Sequence, residues 1–438
     1  MADQNTVAAI RRAEPAPTGN LFQRFLAGTE LDTRLLGMIG ALALIWIGFQ
    51  FISGGIFLTP RNLWNLSVQT AEVSVMATGM VLVIVTRNID LSVGSLLGFV
   101  GMIMGLMQAV WLPPLLGLSN PFIWVIALAA GIAVGVLIGG IQGVIIAYLQ
   151  VPAFIVTLGG YLVWRGGAYL LASGKTIAPM DSLFKLIGGG PTGSIGATWS
   201  WILAAIICVS IAGGILLGRR QRRRFNFPLR PVWAEMTLTA VGCAVTIAAI
   251  WVANSYPWPV GVANAYARDH NITVPEGGLF ISTGVAIPVL IALGAGLVMT
   301  FVATRTRFGR YVFAMGGNPE AAELAGIKTR WVTVKIFMVM GALASVSAAI
   351  ATARLDAATN ALGTLDELYV IASAVIGGTS LAGGVGTVVG AMIGALVMQS
   401  LQSGMTLIGL DTPLQSVVVG LVLVSAVWLD TLYRRRAK

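Results

Sequence analysis

Few residues in this 438-residue chain could do chemistry, and their spacing excludes most of it. The single histidine, His270, lies in a polar loop, and Cys208 and Cys243 lie inside apolar runs, so no disulfide framework or metal site is indicated. No His–acid pair has metal-ligand spacing, and His270 alone supports no Ser/His/Asp set. Gly174-Lys175-Thr176 ends like a phosphate-binding loop, but that motif needs a glycine where Tyr169 stands. Gly384 and Gly386 fail the dinucleotide pattern because Val389 occupies the third glycine position. Catalysis, nucleotide binding and a resident cofactor or metal are not expected.

What remains are charges inside or beside apolar runs: Glu72, Asp90, Arg165 and Glu367. Burying a charge in a bilayer costs roughly 2.5–3.5 kcal/mol on insertion scales. Arg165, mid-run between Leu162 and Ala168, has two readings. It anchors backbone carbonyls or a neighbouring acid, or it stands at a broken helix bordering a pathway. Asp90 precedes Leu91-Ser92-Val93-Gly94-Ser95 and reads as a cap on the next helix. These charges are scattered, and no cluster of buried acids is expected. An ion-coupled secondary transporter is therefore the alternative reading, not the first.

One polar stretch carries more information. In Asn318-Pro319-Glu320-Ala321-Ala322-Glu323-Leu324-Ala325-Gly326-Ile327-Lys328, Asn318 can cap the first N–H groups and Pro319 suits the first helical position. Glu320 and Glu323 favour the positive end of the dipole, and Gly326 supplies a left-handed stop. Ala321, Leu324 and Lys328 share one face. Two turns of helix are not stable alone in water, so this one needs a partner surface.

The elements around these residues are membrane spans. Hydrophobic residues make up 57% of the chain and charged residues 10%, against roughly 25% charged in soluble domains. The net charge of +10 gathers in short loops, at Arg219–Arg224, Arg305–Arg310, Lys328–Lys335 and Arg434–Lys438. That pattern marks a cytoplasmic side and argues against nucleic acid. The fold class is all-α integral membrane, a polytopic bundle of roughly 10–12 spans with both ends cytoplasmic. Residues 1–34 read as a cytoplasmic tail with an interfacial helix around Leu21–Leu26, 35–430 as the membrane domain, and 431–438 as a basic terminus. The apolar run Val73–Thr86 is short: its helix starts near Leu63 and carries Glu72 into the membrane, or it is a half-span. Leu368–Leu410 has room for two spans around a break at Gly377–Gly386. A faint parallel repeat relates the run from Glu72 through Asp90–Ser95 to Leu118–Pro121 with that from Glu367 through Thr379–Gly384 to Leu410–Pro413.

Three stretches, in order, carry a resemblance. Thr86-Arg87-Asn88-Ile89-Asp90-Leu91-Ser92-Val93-Gly94-Ser95, Gly316-Gly317-Asn318-Pro319-Glu320-Ala321-Ala322 with Gly326-Ile327, and Gly377-Gly378-Thr379-Ser380-Leu381-Ala382-Gly383-Gly384-Val385-Gly386 resemble signatures of bacterial monosaccharide permeases. Those permeases belong to ATP-driven, binding-protein-dependent importers. The resemblance implies an inner-membrane homodimer with a cytoplasmic ATP-binding subunit, which carries ATP and Mg, and a periplasmic sugar-binding protein. Besides these partners only lipid is expected. It also implies that the loop 304–331 is the ATPase contact, with Asn318–Leu324, Gly326 and Ile327 as coupling residues. Ribose-type members lack the hydrophobic pair at about 198–256, a departure that points to the D-xylose subgroup. A sugar pathway would use amide, hydroxyl and aromatic groups, and Asn65, Gln69, Glu72, Thr157, Trp164, Arg165, Asn360 and Thr364 are its candidates.

Overall fold

The computed structural model describes residues 28–30, 32–117, 120–275 and 278–437. The interfacial helix expected around Leu21–Leu26 and the Leu118-Ser119 part of the repeat lie outside the described residues. Ten described helices are long and apolar enough to cross a membrane, and the protein is a multi-pass membrane protein. In order these are α1 (Thr33–Ile52), α2 (Pro60–Val85), α3 (Val93–Leu106, continued by a π-helical turn over Met107–Trp111), α4 (Ile123–Tyr148) and α5 (Ala153–Ala172). Then come α6 (Gly196–Arg224), α7 (Val232–Asn254), a short α8 (Val260–Asp269) and the spanning α9 (Ile287–Arg305). Two short helices follow, α10 (Arg307–Gly317) and α11 (Pro319–Leu324), then α12 (Thr329–Leu355), α13 (Asp366–Ile376), α14 (Val388–Leu407) and α15 (Thr412–Ala437).

The chain divides into two compact units, one holding the N-terminal segment to Gly37 with Trp201–Trp251 and the other holding Met38–Ser200 with Val252–Lys438. In the smaller unit the arginines at the α6–α7 turn do more than mark a topology. Arg222 and Arg230 both bind Glu30, at 2.6 and 2.9 Å, and Arg219 binds Glu235 at 2.7 Å.

In the larger unit α2 is the central element. All of its residues from Thr70 to Val85 are buried, Glu72 among them. The short run Val73–Thr86 is thus part of a full span, not a half-span, and an acid does enter the membrane. The two long helices α4 and α12 pack through small residues. Gly135, Gly139 and Gly143 recur every fourth residue against α12, and a Cβ on Gly139 would stand 2.1 Å from the Phe337 carbonyl oxygen, while Gly131 one turn earlier meets Met104 of α3. Helices in lipid associate by this kind of close approach.

The stretch from Leu368 to Leu410 is not two helical spans. Its first part is the eleven-residue α13, too short to cross alone, and a non-helical run, residues 356–365, leads into it. The run lies along a second glycine stripe on α3. Cβ atoms on Gly105, Gly101, Gly98 and Gly94 would meet Ala358, Leu362, the Leu362 carbonyl and the Gly363 carbonyl in turn. Spaced at four, three and four residues, these glycines form one face, and only their lack of a side chain admits a second backbone.

Arg222 and Arg230 hold the Glu30 carboxyl at a pKa of about 2, well below its ordinary 4.5. A depressed acid lends stability above its unfolded pKa and loses it as pH falls through the folded value. The attachment of residues 28–37 to the α6–α7 turn is therefore expected to be complete at neutral pH and to weaken between about pH 4.5 and 2. Hydrogen exchange across residues 28–37 should rise over that interval, and Glu30→Gln should show the raised exchange already at pH 7. Exchange that ignores both changes would mean that other contacts hold the segment.

Candidate functional site

Two places in the larger unit gather polar residues, and α12 separates them by its 27-residue length, about 40 Å at 1.5 Å per residue. At the first, the three sequence stretches converge. Arg87, at φ +64°, donates from Nε to the Gly316 carbonyl at 3.1 Å and from Nη2 to the Gly317 carbonyl at 2.8 Å. The Gly384 N–H donates to the Val85 carbonyl at 2.9 Å, and a Cβ on Gly316 would stand 2.0 Å from that same oxygen. Gly378, Gly383 and Gly384 all have positive φ, while Gly377 closes against Gly390 and Gly386 against Thr379. Both elbows of the faint repeat thus meet at one end of the bundle.

Helix α11 projects from this junction. Asn318 Oδ1 accepts from the Ala321 N–H at 3.0 Å, Pro319 opens the helix, and Gly326 takes φ +82°. Glu320, Ala321, Glu323 and Lys328 are exposed, and Leu324 is 91% exposed. Ala322 points the other way and is buried, and Ile327 packs half-buried on the core, so neither is free for a partner as the sequence suggested. Asp90 also differs from expectation. Its Oδ1 accepts from the Ser92 N–H at 2.9 Å and the Ser92 hydroxyl at 2.7 Å, and so fixes the residue preceding α3 without reaching the helix's first turn. Leu91 packs on the core, and Ser95 turns its hydroxyl back to the Ser92 carbonyl. Gln142 of α4 donates to the Ser92 hydroxyl at 3.0 Å, and the Thr157 hydroxyl of α5, which donates to the Ala153 carbonyl at 2.8 Å, lies 3.2 Å from the Ile89 carbonyl. Thr157 is therefore an elbow residue.

The second place is a cavity of about 330 Å³ between α2, α12, α13 and α14. Asn62, Asn65, Gln69 and Glu72 line it from α2, Arg354 from α12, Asp366 from α13, and Gln399, Gln402, Ser403 and Thr406 from α14. Arg354 Nη2 donates to Glu72 Oε2 at 3.3 Å, and Asp366 lines the same cavity. Two acids that the sequence did not bring together, Glu72 and Asp366, thus face one cavity, while Glu367 turns its carboxyl toward Gly94 of α3. Sequence reading found Asn65, Gln69 and Glu72 but missed Arg354 and Asp366, which border apolar runs and read as loop charges. The signal was there: Asn62, Asn65, Gln69 and Glu72 recur at three, four and three residues, one polar face on a membrane helix.

The remaining pathway candidates do not line this cavity. Arg165 Nη1 donates to the carbonyls of Asn360 and Leu362, at 3.0 and 2.8 Å. The two readings of Arg165 are thus one, since the carbonyls it binds belong to the broken crossing. Trp164 packs on Phe99 at 5.3 Å, and the Thr364 hydroxyl is spent on the Ala361 carbonyl. Asp356 anchors the start of the same run, accepting from Lys185 at 2.9 Å and from the Met180 N–H at 2.8 Å. These residues position Asp366.

A family model described as the branched-chain amino acid transport system / permease component matches residues 62–427. The chain belongs to this permease family. The permease is 34% identical to the xylose transport system permease protein XylH of Escherichia coli K12, over 93% of this chain and 94% of that one. It is 35% identical to XylH of Haemophilus influenzae, over 91% and 96%, and 30% identical to the ribose import permease protein RbsC of Escherichia coli K12, over 85% and 87%. No solved structure matches it. Its family is one of transport components, not of enzymes.

Removing Arg165 leaves two carbonyls unpaired inside the bundle, each costing about 1–3 kcal/mol. Arg165→Leu is expected to lower stability by about 2–6 kcal/mol, with Arg165→Lys between it and the wild type. Thermal unfolding of the purified permease in detergent reads this directly, and a leucine variant as stable as the wild type would show that the carbonyls find other donors.

Proposed function

We propose that this permease is the membrane subunit of an ATP-driven sugar importer and carries D-xylose delivered by an external binding protein. The observation that carries the reading is the match to the XylH permeases along nearly their whole length. The geometry supports it in two ways. The cavity is lined by amides, hydroxyls and charges, with Leu407 its one apolar residue, a set that suits a polyol better than an aliphatic amino acid side chain. Far from it stands a capped helix with an exposed leucine, flanked by the basic loops that the positive-inside rule places in the cytoplasm. In this reading both termini are cytoplasmic, the chain acts as a homodimer, and the cavity opens toward the delivering protein. Residues 304–331 dock on a separate ATPase that binds ATP and Mg, with Glu320, Ala321, Glu323 and Leu324 as the surface offered.

The Glu72–Asp366 pair favours one competitor, an ion-coupled carrier that needs no ATPase, because paired intramembrane acids serve as proton relays. Reconstitution decides between them. D-xylose uptake into liposomes should require the ATPase, ATP and the binding protein together, and uptake by this chain alone on a proton gradient would replace the importer reading.

Leu324→Arg, which puts a charge where an apolar knob meets a groove, is expected to cut coupled uptake by about tenfold or more. Membrane insertion should be unchanged. Wild-type uptake by this variant would move the ATPase contact elsewhere.

A further inference from the structure

Gln399 lies in the cavity wall and is only 6% exposed, and its Oε1 is buried with no donor to pair with. Native interiors rarely leave such an acceptor orphaned, and a simple conduit gives no reason for one. The groups facing it fall into a pattern. Asn65, Gln69 and Gln402 can each donate and accept, and Glu72 and Asp366 accept beside Arg354, which only donates. Asn62 already donates to the Phe57 carbonyl at 2.8 Å and accepts from Ser403 at 3.2 Å, and Thr406 donates to the Gln402 carbonyl at 3.0 Å. A ligand that both donates and accepts through several adjacent hydroxyls satisfies this set. An aliphatic amino acid does not, because its side chain would leave the amides unpaired. At about 330 Å³ the space is at the small end of ligand pockets, roughly 300–1,000 Å³, and suits one sugar ring. Two carboxyls against one guanidinium disfavour a phosphorylated or acidic sugar.

We propose that this cavity is a binding station for a neutral monosaccharide within the permease itself, with Gln399 and the Glu72–Asp366 pair sensing the hydroxyl pattern. The inference rests on the sugar-permease reading and goes beyond it, for it places part of the selectivity in the membrane subunit. Binding here is a step of passage: the sugar exchanges the water around its hydroxyls for fixed amide and carboxyl partners.

The test uses the complete transporter in proteoliposomes, with its ATPase and binding protein. Gln399→Leu is expected to lower D-xylose uptake about tenfold, the worth of roughly one hydrogen bond, in complexes that still co-purify with the ATPase. Asp366→Asn should change the ranking of D-xylose against D-ribose as competitors. Independently of either variant, D-xylose but not L-leucine should slow maleimide labelling of Ser403→Cys in the otherwise wild-type chain. Unchanged uptake and ranking in both variants, or labelling indifferent to D-xylose, overturns the station while leaving the importer standing. A wild-type complex that imports no D-xylose with its partners overturns both.

Discussion

A backbone that leaves the helical conformation inside a membrane must find partners for its peptide groups, and this permease meets that demand chiefly with one guanidinium. Arg165 donates to the carbonyls of Asn360 and Leu362, and Ile177 and Ala358 exchange backbone hydrogen bonds at 3.0 and 2.9 Å where the run begins. Unsatisfied groups there would each cost several kcal/mol, so the irregular run exists only because it is held. The glycine face of α3 supplies the matching steric condition. With both conditions met, the chain can place Asp366 and Glu367 at the start of a half-helix and set acids against the middle of α2.

Both the fold class and the location of the junction were legible because they follow from local chemistry. Asn318, Pro319 and Gly326 each satisfy a need that arises within a few residues, and the cap distances bear this out. Leu324 follows from spacing alone. Burial of Ala322 does not, since it depends on the surface beneath the helix. Likewise, a run without charges shows that Leu368–Leu410 is apolar, yet not that the residues leading into it, 356–365, leave the helical conformation. That outcome is decided by α3 and α5, far away in sequence.

Arg354 and Asp366 show the same limit from the other side. A charge just beyond an apolar run has the same appearance whether it faces water or a cavity, and the choice depends on how α12 and α13 enter the bundle. The stripe from Asn62 to Glu72 did not depend on such context. Polar side chains at helical spacing within a span have few places to go except inward.

Helix α2 joins the two polar places. Its 26 residues run from the cavity wall at Asn62 to Val85, whose carbonyl receives Gly384, and Arg87 just beyond clasps α10. Tightly packed and unbroken by any proline after its first residue, it has no joint at which one end could yield while the other stays still. A rod of this kind can slide or tilt only as a piece, so a shift at the α11 end is felt in the chamber wall at the same instant.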